Sequence, residues 1–401
     1  MPHRPKTITP ELRLLLLCAR KTLPPSYHDR VGTLLQQPLD WERFLHLADQ
    51  HQVAPLVWHS LQSATHLSVP TELESALRQR LEANTWSVLA LTAELARLVQ
   101  RLEQAGIRTL PLKGPVLAFM VYGNLALRQG GDLDLLVDPA RFGEAERILL
   151  DAGYTRLEPR FELSPAQTTA HFKIDHHSVY RHSARGFEVE LHWRWSQNAL
   201  LFPLSFEEAW QQRIPLTIGG VTLATLPVED LLLYLCVHGA VSEWCRLKWL
   251  CDIPQLLAQA PGIDLERLIT RARQLGVSRM LAQGWLLAHE MLDTSLPPVI
   301  AALAQQDPTV LTLVELAHRA LLRGRPHWED SGWRQLAHIP YSFKFRPEFA
   351  YKWRSLYCFA LRTEDYAVIR LPDRLFPLYF LLRPFIWVFR QRQKRRQQGK
   401  L

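Results

Sequence analysis

Asp132 and Asp134 stand one residue apart in the run Gly131-Asp132-Leu133-Asp134-Leu135-Leu136-Val137, eighteen residues after a Lys113-Gly114 pair. Residues i and i+2 of a strand share a face. The spacing therefore points both carboxylates one way and Leu133, Leu135 and Val137 the other. Two carboxylates side by side make a hard oxygen site for Mg²⁺. Upstream, residues 107–112 read as a short buried strand, and Gly114-Pro115 opens a helix with proline where no amide hydrogen is needed. A helix N-terminus beside a metal site suits a polyphosphate. A lone Asp-x-Asp at a strand start is more often a solvated turn; its conjunction with Lys113-Gly114 and a further acid carries the reading.

These residues need elements to hold them. Residues 8–106 read as helical: Thr9-Pro10-Glu11 resembles a helix start, residues 41–61 carry apolar side chains at helical spacing, and residues 84–106 form a long periodic helix ended by glycine. From Ile107 the period switches to strand, helix, loop and strand, then a helix over 140–152 closed by Gly153 and a strand from Tyr154, a compact α/β unit. A hairpin-like pair follows over about 174–181 and 187–194. The second member alternates, with Phe187, Val189, Leu191 and Trp193 on the apolar face and Glu188, Glu190, His192 and Arg194 on the polar one. A strand pair over 214–226 flanks Gly219-Gly220. Pro227-Val228-Glu229-Asp230 then starts a helical region reaching about residue 320, and the aromatic, irregular stretch 326–347 reads as a linker. The resulting division is 1–106 helical, 107–226 α/β core, 227–325 helical and cleft-closing, and 326–401 aromatic segment with basic tail. The fold class is α+β.

Lys113-Gly114, Tyr122-Gly123-Asn124, Arg128 and Asp132-Leu133-Asp134 resemble the signature of the uncharacterised nucleotidyltransferase family of the polymerase-beta superfamily. Glu190-Leu191-His192-Trp193 on a strand, then His238-Gly239 and Trp244 through Asp252 on helices, extend the likeness over most of residues 40–260. The resemblance implies a polymerase-beta-like core with a mixed sheet, flanked by N-terminal and C-terminal helical regions. It also implies transfer of a nucleoside monophosphate from an NTP to a hydroxyl acceptor with Mg²⁺, or alternatively Mn²⁺. On this reading Asp132 and Asp134 ligate the metal, Glu190 is the third carboxylate, and Glu188 is the fallback. The wider superfamily carries Gly-Ser where this chain has Gly114-Pro115, so Lys113 substitutes as a point charge on phosphate. Arg128 neutralises phosphate or pairs with Asp132. Lys248 and Asp252 share a helix face and reach toward the triphosphate, the alternative being a plain surface ion pair. His238 stacks or hydrogen-bonds in the cleft, and His192 orients Glu190 or touches nucleotide. His171, His176, His177 and His182 share no single period and are not assigned to a metal.

The formal charge of +8 is concentrated at the end of the chain. Arg390, Arg392, Lys394, Arg395, Arg396 and Lys400 supply six positives with no acid among them, leaving +2 for residues 1–389. A body this neutral favours a small molecule, sugar or peptide acceptor over RNA. Rival readings are a non-catalytic nucleotide- or protein-binding module on the same fold and a toxin-like tRNA nucleotidyltransferase. The five cysteines form no Cys-x-x-Cys pair and read as reduced thiols of a cytoplasmic protein. Residues 14–17 are too short for a signal-peptide core. Residues 375–389 are apolar and aromatic but broken by Pro377, Arg383 and Pro384, too interrupted to span a membrane. With the basic tail they fit peripheral attachment to an anionic surface, or else a core-docking helix with a solvated tail.

Overall fold

A computed structural model describes residues 8–329 and 336–398. Five short strands build one mixed sheet in the order β1-β2-β5-β4-β3. They are β1 (Thr109–Pro111), β2 (Asp132–Val137), β3 (Tyr154–Glu158), β4 (His177–His182) and β5 (Glu188–His192). Only β2 and β5 run parallel; the other pairs are antiparallel. A parallel pair needs a crossover. Here it consists of helix Phe142–Asp151, β3, helix Pro165–Ile174 and β4. A separate hairpin, β6 (Ile214–Ile218) with β7 (Val221–Thr225), turns through Gly219 and Gly220. Both have positive φ, +58° and +80°, the tight two-residue turn that only glycine takes without strain.

The alternation in β2 sorts its side chains between two cores. Leu133, Leu135 and Val137 pack with Val189 and Leu191 of β5 against Leu91, Leu95, Leu98 and Leu102 of the long helix Thr71–Gln104. Leu136, on the carboxylate side, belongs to the larger core. That core joins the N-terminal helices to Val228–Val241, Leu247–Gln259, Ser278–Leu292 and Thr309–Arg323. The sheet thus presents its acidic face to helices and buries its apolar face on others. A smaller cluster of Ala170, Ile174, Leu361, Tyr366, Tyr379 and Ile386 fastens the C-terminal segment to helix Pro165–Ile174.

Several expectations are corrected. Helix Pro165–Ile174, opened by the reciprocal capping box of Ser164 and Gln167, takes Ile174, the first residue assigned to a strand, and β4 begins at His177. The long N-terminal helix begins at Thr71, and the helix over 140–152 is a 3₁₀ turn, Pro139–Arg141, followed by Phe142–Asp151. Trp244 lies in a turn, not on a helix. Glu243 and Trp244 both have positive φ, and the Trp244 ring fills the notch over Gly239, where an added Cβ would meet it at 2.5 Å. In the stretch read as a linker, residues 330–335 lie outside the described residues. Beyond them Tyr341 and Phe345 are buried in the larger core, and the Tyr341 hydroxyl donates to the Ala240 carbonyl at 2.8 Å. Lys400 of the basic tail is also outside the described residues. No helix among the described residues is long and apolar enough to cross a membrane.

Candidate active site

Register decides which acids meet. On the parallel strands Asp132 lies opposite Glu188, Asp134 opposite Glu190, and Leu136 opposite His192. Cross-strand neighbours project to the same face, so β5 delivers Glu190 beside Asp134. Ligand atoms of Asp134, Glu190 and His192 all lie within 4.8 Å of one another. His192 Nε2 stands 3.3 Å from both Asp134 Oδ1 and Glu190 Oε2. Its other nitrogen, Nδ1, is buried with no hydrogen-bond partner among the described residues. Glu188 is instead engaged by Arg181 at 3.1 Å, at the exposed rim.

Lys113 follows β1, whose ladder is extended by the Leu112 amide donating to the Asp134 carbonyl at 3.0 Å. Its ammonium sits 2.9 Å from Asp134 Oδ1. Gly114 then turns the chain into helix Pro115–Tyr122 with φ +61° and ψ −133°. A Cβ there would lie 3.2 Å from the Asp132 carbonyl oxygen, so both the conformation and the close approach require glycine.

Burial disfavours every charge in this pocket, and the outcome depends on what each group faces. Burial, reinforced by the Asp134 charge, pushes the Asp132 carboxyl up. Against the same burial, Lys113 and the His192 hydrogen bond hold Asp134 low. Burial also opposes ionisation of Glu190, yet the His192 hydrogen bond and the His177 ring hold it well below the usual carboxylate range. The reciprocal effect overcomes burial and raises Lys113 and His192. Tyr234, buried on the helix above, has its hydroxyl pushed up by burial and lies in the field of Lys113 and all three carboxylates. His238, one turn on, is half-buried; burial and then the Lys113 charge force it well below the usual histidine range.

Arg128 and Asp252 meet each other rather than Asp132 or Lys248. Arg128 Nε and Nη2 grip the Asp252 carboxylate at 3.0–3.1 Å, and the Tyr122 hydroxyl donates to it at 3.1 Å. The pair is fully buried, not at the surface, because the planar guanidinium satisfies both carboxylate oxygens at once. It ties helix Leu247–Gln259 to the loop that leads into β2. Lys248 instead donates to the Gln129 carbonyl at 3.2 Å, next to Arg128 in sequence. Burial and the Arg128 charge push its pKa down to about 7.

Beside that lysine and directly before Asp132 lies a polar cleft of about 360 Å³, lined by Arg80, Asn84, Ser87, Gln129, Gly130, Gly131 and Lys248 among others. Arg80 is held by Asp49 at 2.8 Å. A larger cavity of about 480 Å³, near Pro254, Trp285 and Asp293, shares no lining residue with the site. Arg80, Asn84, Gln129 and Tyr234 escaped sequence reading because nothing local distinguishes them from ordinary helix and loop positions.

Two of the four unassigned histidines converge. His177 pairs with His192 across β4 and β5, and His176, His177 and His192 bring ring nitrogens within 4.8 Å. The bend at Asp175-His176 breaks any single period, which is why the grouping was not legible. His171 bonds Thr363 and Ser178, and His182 accepts from the Ala184 and Arg185 amides of its own turn.

No curated protein and no solved structure matches the chain. A family model described as uncharacterised nucleotidyltransferase does match, over residues 37–293. That span is more than half of the chain and contains β2, β5 and both helices over the acidic face. The chain therefore belongs to the uncharacterised nucleotidyltransferase family.

Proposed function

We propose that the protein moves a nucleoside monophosphate from an NTP to a hydroxyl of an acceptor, using a polymerase-beta-like core and a divalent cation. The observation that carries this reading is the register of β2 and β5, which sets Asp134 beside Glu190 with Asp132 two residues before, on one largely buried face. Three carboxylates against Lys113 and His192 leave room for added positive charge, and the orphaned Nδ1 of His192 marks an incompletely satisfied site. The oxygen donors fit Mg²⁺, while the adjoining imidazole also suits Mn²⁺. A cation held by Asp132, Asp134 and Glu190 would offset charge on the phosphoryl oxygens and make the acceptor hydroxyl more acidic.

In the reaction the acceptor oxygen bonds to the α-phosphorus while the bond to pyrophosphate breaks. Lys113 and the amides at the start of helix Pro115–Tyr122 lie where a phosphate group gains from positive charge. Lys248 and Arg80 offer further cations along the polar cleft. Tyr234 and His238 wall the site from above and limit water. Glu190 serves the acceptor side, as third ligand or as the group taking the proton, and His192 fixes its orientation. Arg128 and Asp252 act by holding the helix that carries Lys248. The near-neutral body supports a small molecule, sugar or peptide acceptor over RNA.

The test is incubation of the purified chain with each α-labelled NTP and Mg²⁺, with and without cell extract, beside an Asp132→Ala/Asp134→Ala control. Label transferred by the wild type and not by the control supports the reading. Identical behaviour with all four nucleotides and a broad acceptor set removes it.

A further inference from the structure

The strongest asymmetry outside the site is in the last 64 residues of the chain. Residues 338–401 hold 14 Lys and Arg against 4 Asp and Glu, whereas residues 1–337 hold 33 against 35. The same segment carries 11 of the 17 large apolar side chains exposed among the described residues. On helix Phe349–Ala360, Tyr351 and Cys358 face the protein, while Phe349, Trp353 and Leu356 recur at helical spacing on the opposite side, the first two 79% and 64% exposed. Helix Leu378–Gln398 repeats the arrangement. Tyr379, Arg383, Ile386 and Arg390 point inward, the two arginines gripping Asp365. Leu381, Phe385 and Val388 form the outer stripe, at 70%, 73% and 40%, with Arg392 continuing it. The two helices meet where Tyr357 and Phe380 bring their rings within 5.8 Å. Arg370 and Arg374, between the helices in sequence, are exposed too.

We propose that these two helices are an anionic-membrane docking face, which lies in the plane of the lipid headgroups with its aromatic and leucine stripes inserted and its arginines on lipid phosphate. The inner face of each helix is already satisfied by the protein, so the outer stripes are not a core awaiting closure. Large side chains left in water at helical spacing, with basic residues alongside, are the composition of an interfacial helix. Excess positive charge selects an anionic surface. It also disfavours a second copy of this chain, which would bring two strongly positive faces together. This proposal is independent of the nucleotidyl-transfer reading.

Co-sedimentation of the full chain with vesicles tests it, comparing phosphatidylcholine alone with an equal mixture of phosphatidylcholine and phosphatidylglycerol. The wild type is expected to pellet with the mixed vesicles, much less with the neutral ones, and less as salt rises. Leu381→Asp/Phe385→Asp, and separately Trp353→Asp, should each lower the partition about tenfold or more. Both alter exposed side chains, and unchanged thermal unfolding checks that the fold is intact. Equal pelleting of wild type and both variants, or none by the wild type, overturns the proposal. So does a concentration-dependent dimer that Leu381→Asp/Phe385→Asp abolishes while lipid has no effect, which would give the face to a second copy.

Discussion

Two charge clusters lie within electrostatic reach of each other and are built on opposite principles. Arg128 and Asp252 balance each other one for one, with the Tyr122 hydroxyl completing the set, and the whole group is buried. Asp132, Asp134 and Glu190 crowd one face beside a polar cleft, and burial with the Asp134 charge pushes the Asp132 carboxyl up. A balanced buried pair has its interactions satisfied inside the chain and holds elements together. At Asp132 burial and the neighbouring carboxylates oppose ionisation, which a bound cation would relieve. The family resemblance implied nucleotide binding for Arg128 and Asp252 and metal binding and catalysis for the three carboxylates; the mutual grip of Arg128 and Asp252 suits holding elements together.

Substitution separates the two most sharply. Arg128→Ala strands a buried carboxylate and should lower unfolding free energy by about 3–5 kcal/mol in denaturant titrations, whereas Arg128→Met/Asp252→Leu should recover most of it. Normal stability with nucleotide affinity lost would move Arg128 into the binding site. Asp132→Asn should do the reverse: label transfer falls by about 10²–10³-fold or more, while stability without metal is unchanged or higher, because burial and the Asp134 charge already oppose ionisation there. A large stability loss in Asp132→Asn would erase the contrast.

Proton linkage sharpens the comparison at smaller effect. His192 is held above the usual histidine range by Asp134 and Glu190, so a cation taking those carboxylates competes with its proton. Metal affinity should fall as pH drops through that raised value, and calorimetry on His192→Gln should show a flatter dependence. Lys248 tests the cleft. Its pKa of about 7 lies below the roughly 10.4 of an unfolded lysine. Between those values the unfolded chain binds the proton and the folded chain does not, so the contribution of Lys248 to stability rises with pH and is lost as pH falls toward 7. Lys248→Met should therefore stabilise most near or below neutrality and least at about pH 10. If the triphosphate contacts Lys248, nucleotide binding near pH 8 takes up a proton, detectable as heats that depend on the buffer; buffer-independent heats would place the phosphates elsewhere.

Spacing made some of this legible and topology hid the rest. The Asp-x-Asp period fixed which face of β2 carries acid, and the alternation of residues 187–194 put Glu190 and His192 together on the polar side. That β5 lies next to β2 was not readable, because it depends on a crossover through about fifty intervening residues. Alternation alone put Glu188 and Glu190 on one face and the family motif favoured Glu190, with Glu188 the fallback; register sets Asp134 opposite Glu190, and Arg181 engages Glu188. The partner of Arg128 is 124 residues away and has no local signal. The left-handed turn at Glu243-Trp244 is likewise silent, since neither residue type favours it. By contrast, the capping box of Ser164 and Gln167 is local and was present to be read, yet the helix it starts was not assigned.

The account rests on the carboxylates of β2 and β5 holding a divalent cation, and Mn²⁺ titration followed by electron paramagnetic resonance measures this without knowledge of the acceptor. The wild type should show saturable binding that Asp134→Asn and Glu190→Gln abolish and Glu188→Gln retains. Binding that survives in Glu190→Gln as it does in Glu188→Gln, or that is absent from the wild type with NTP present, would contradict the central claim.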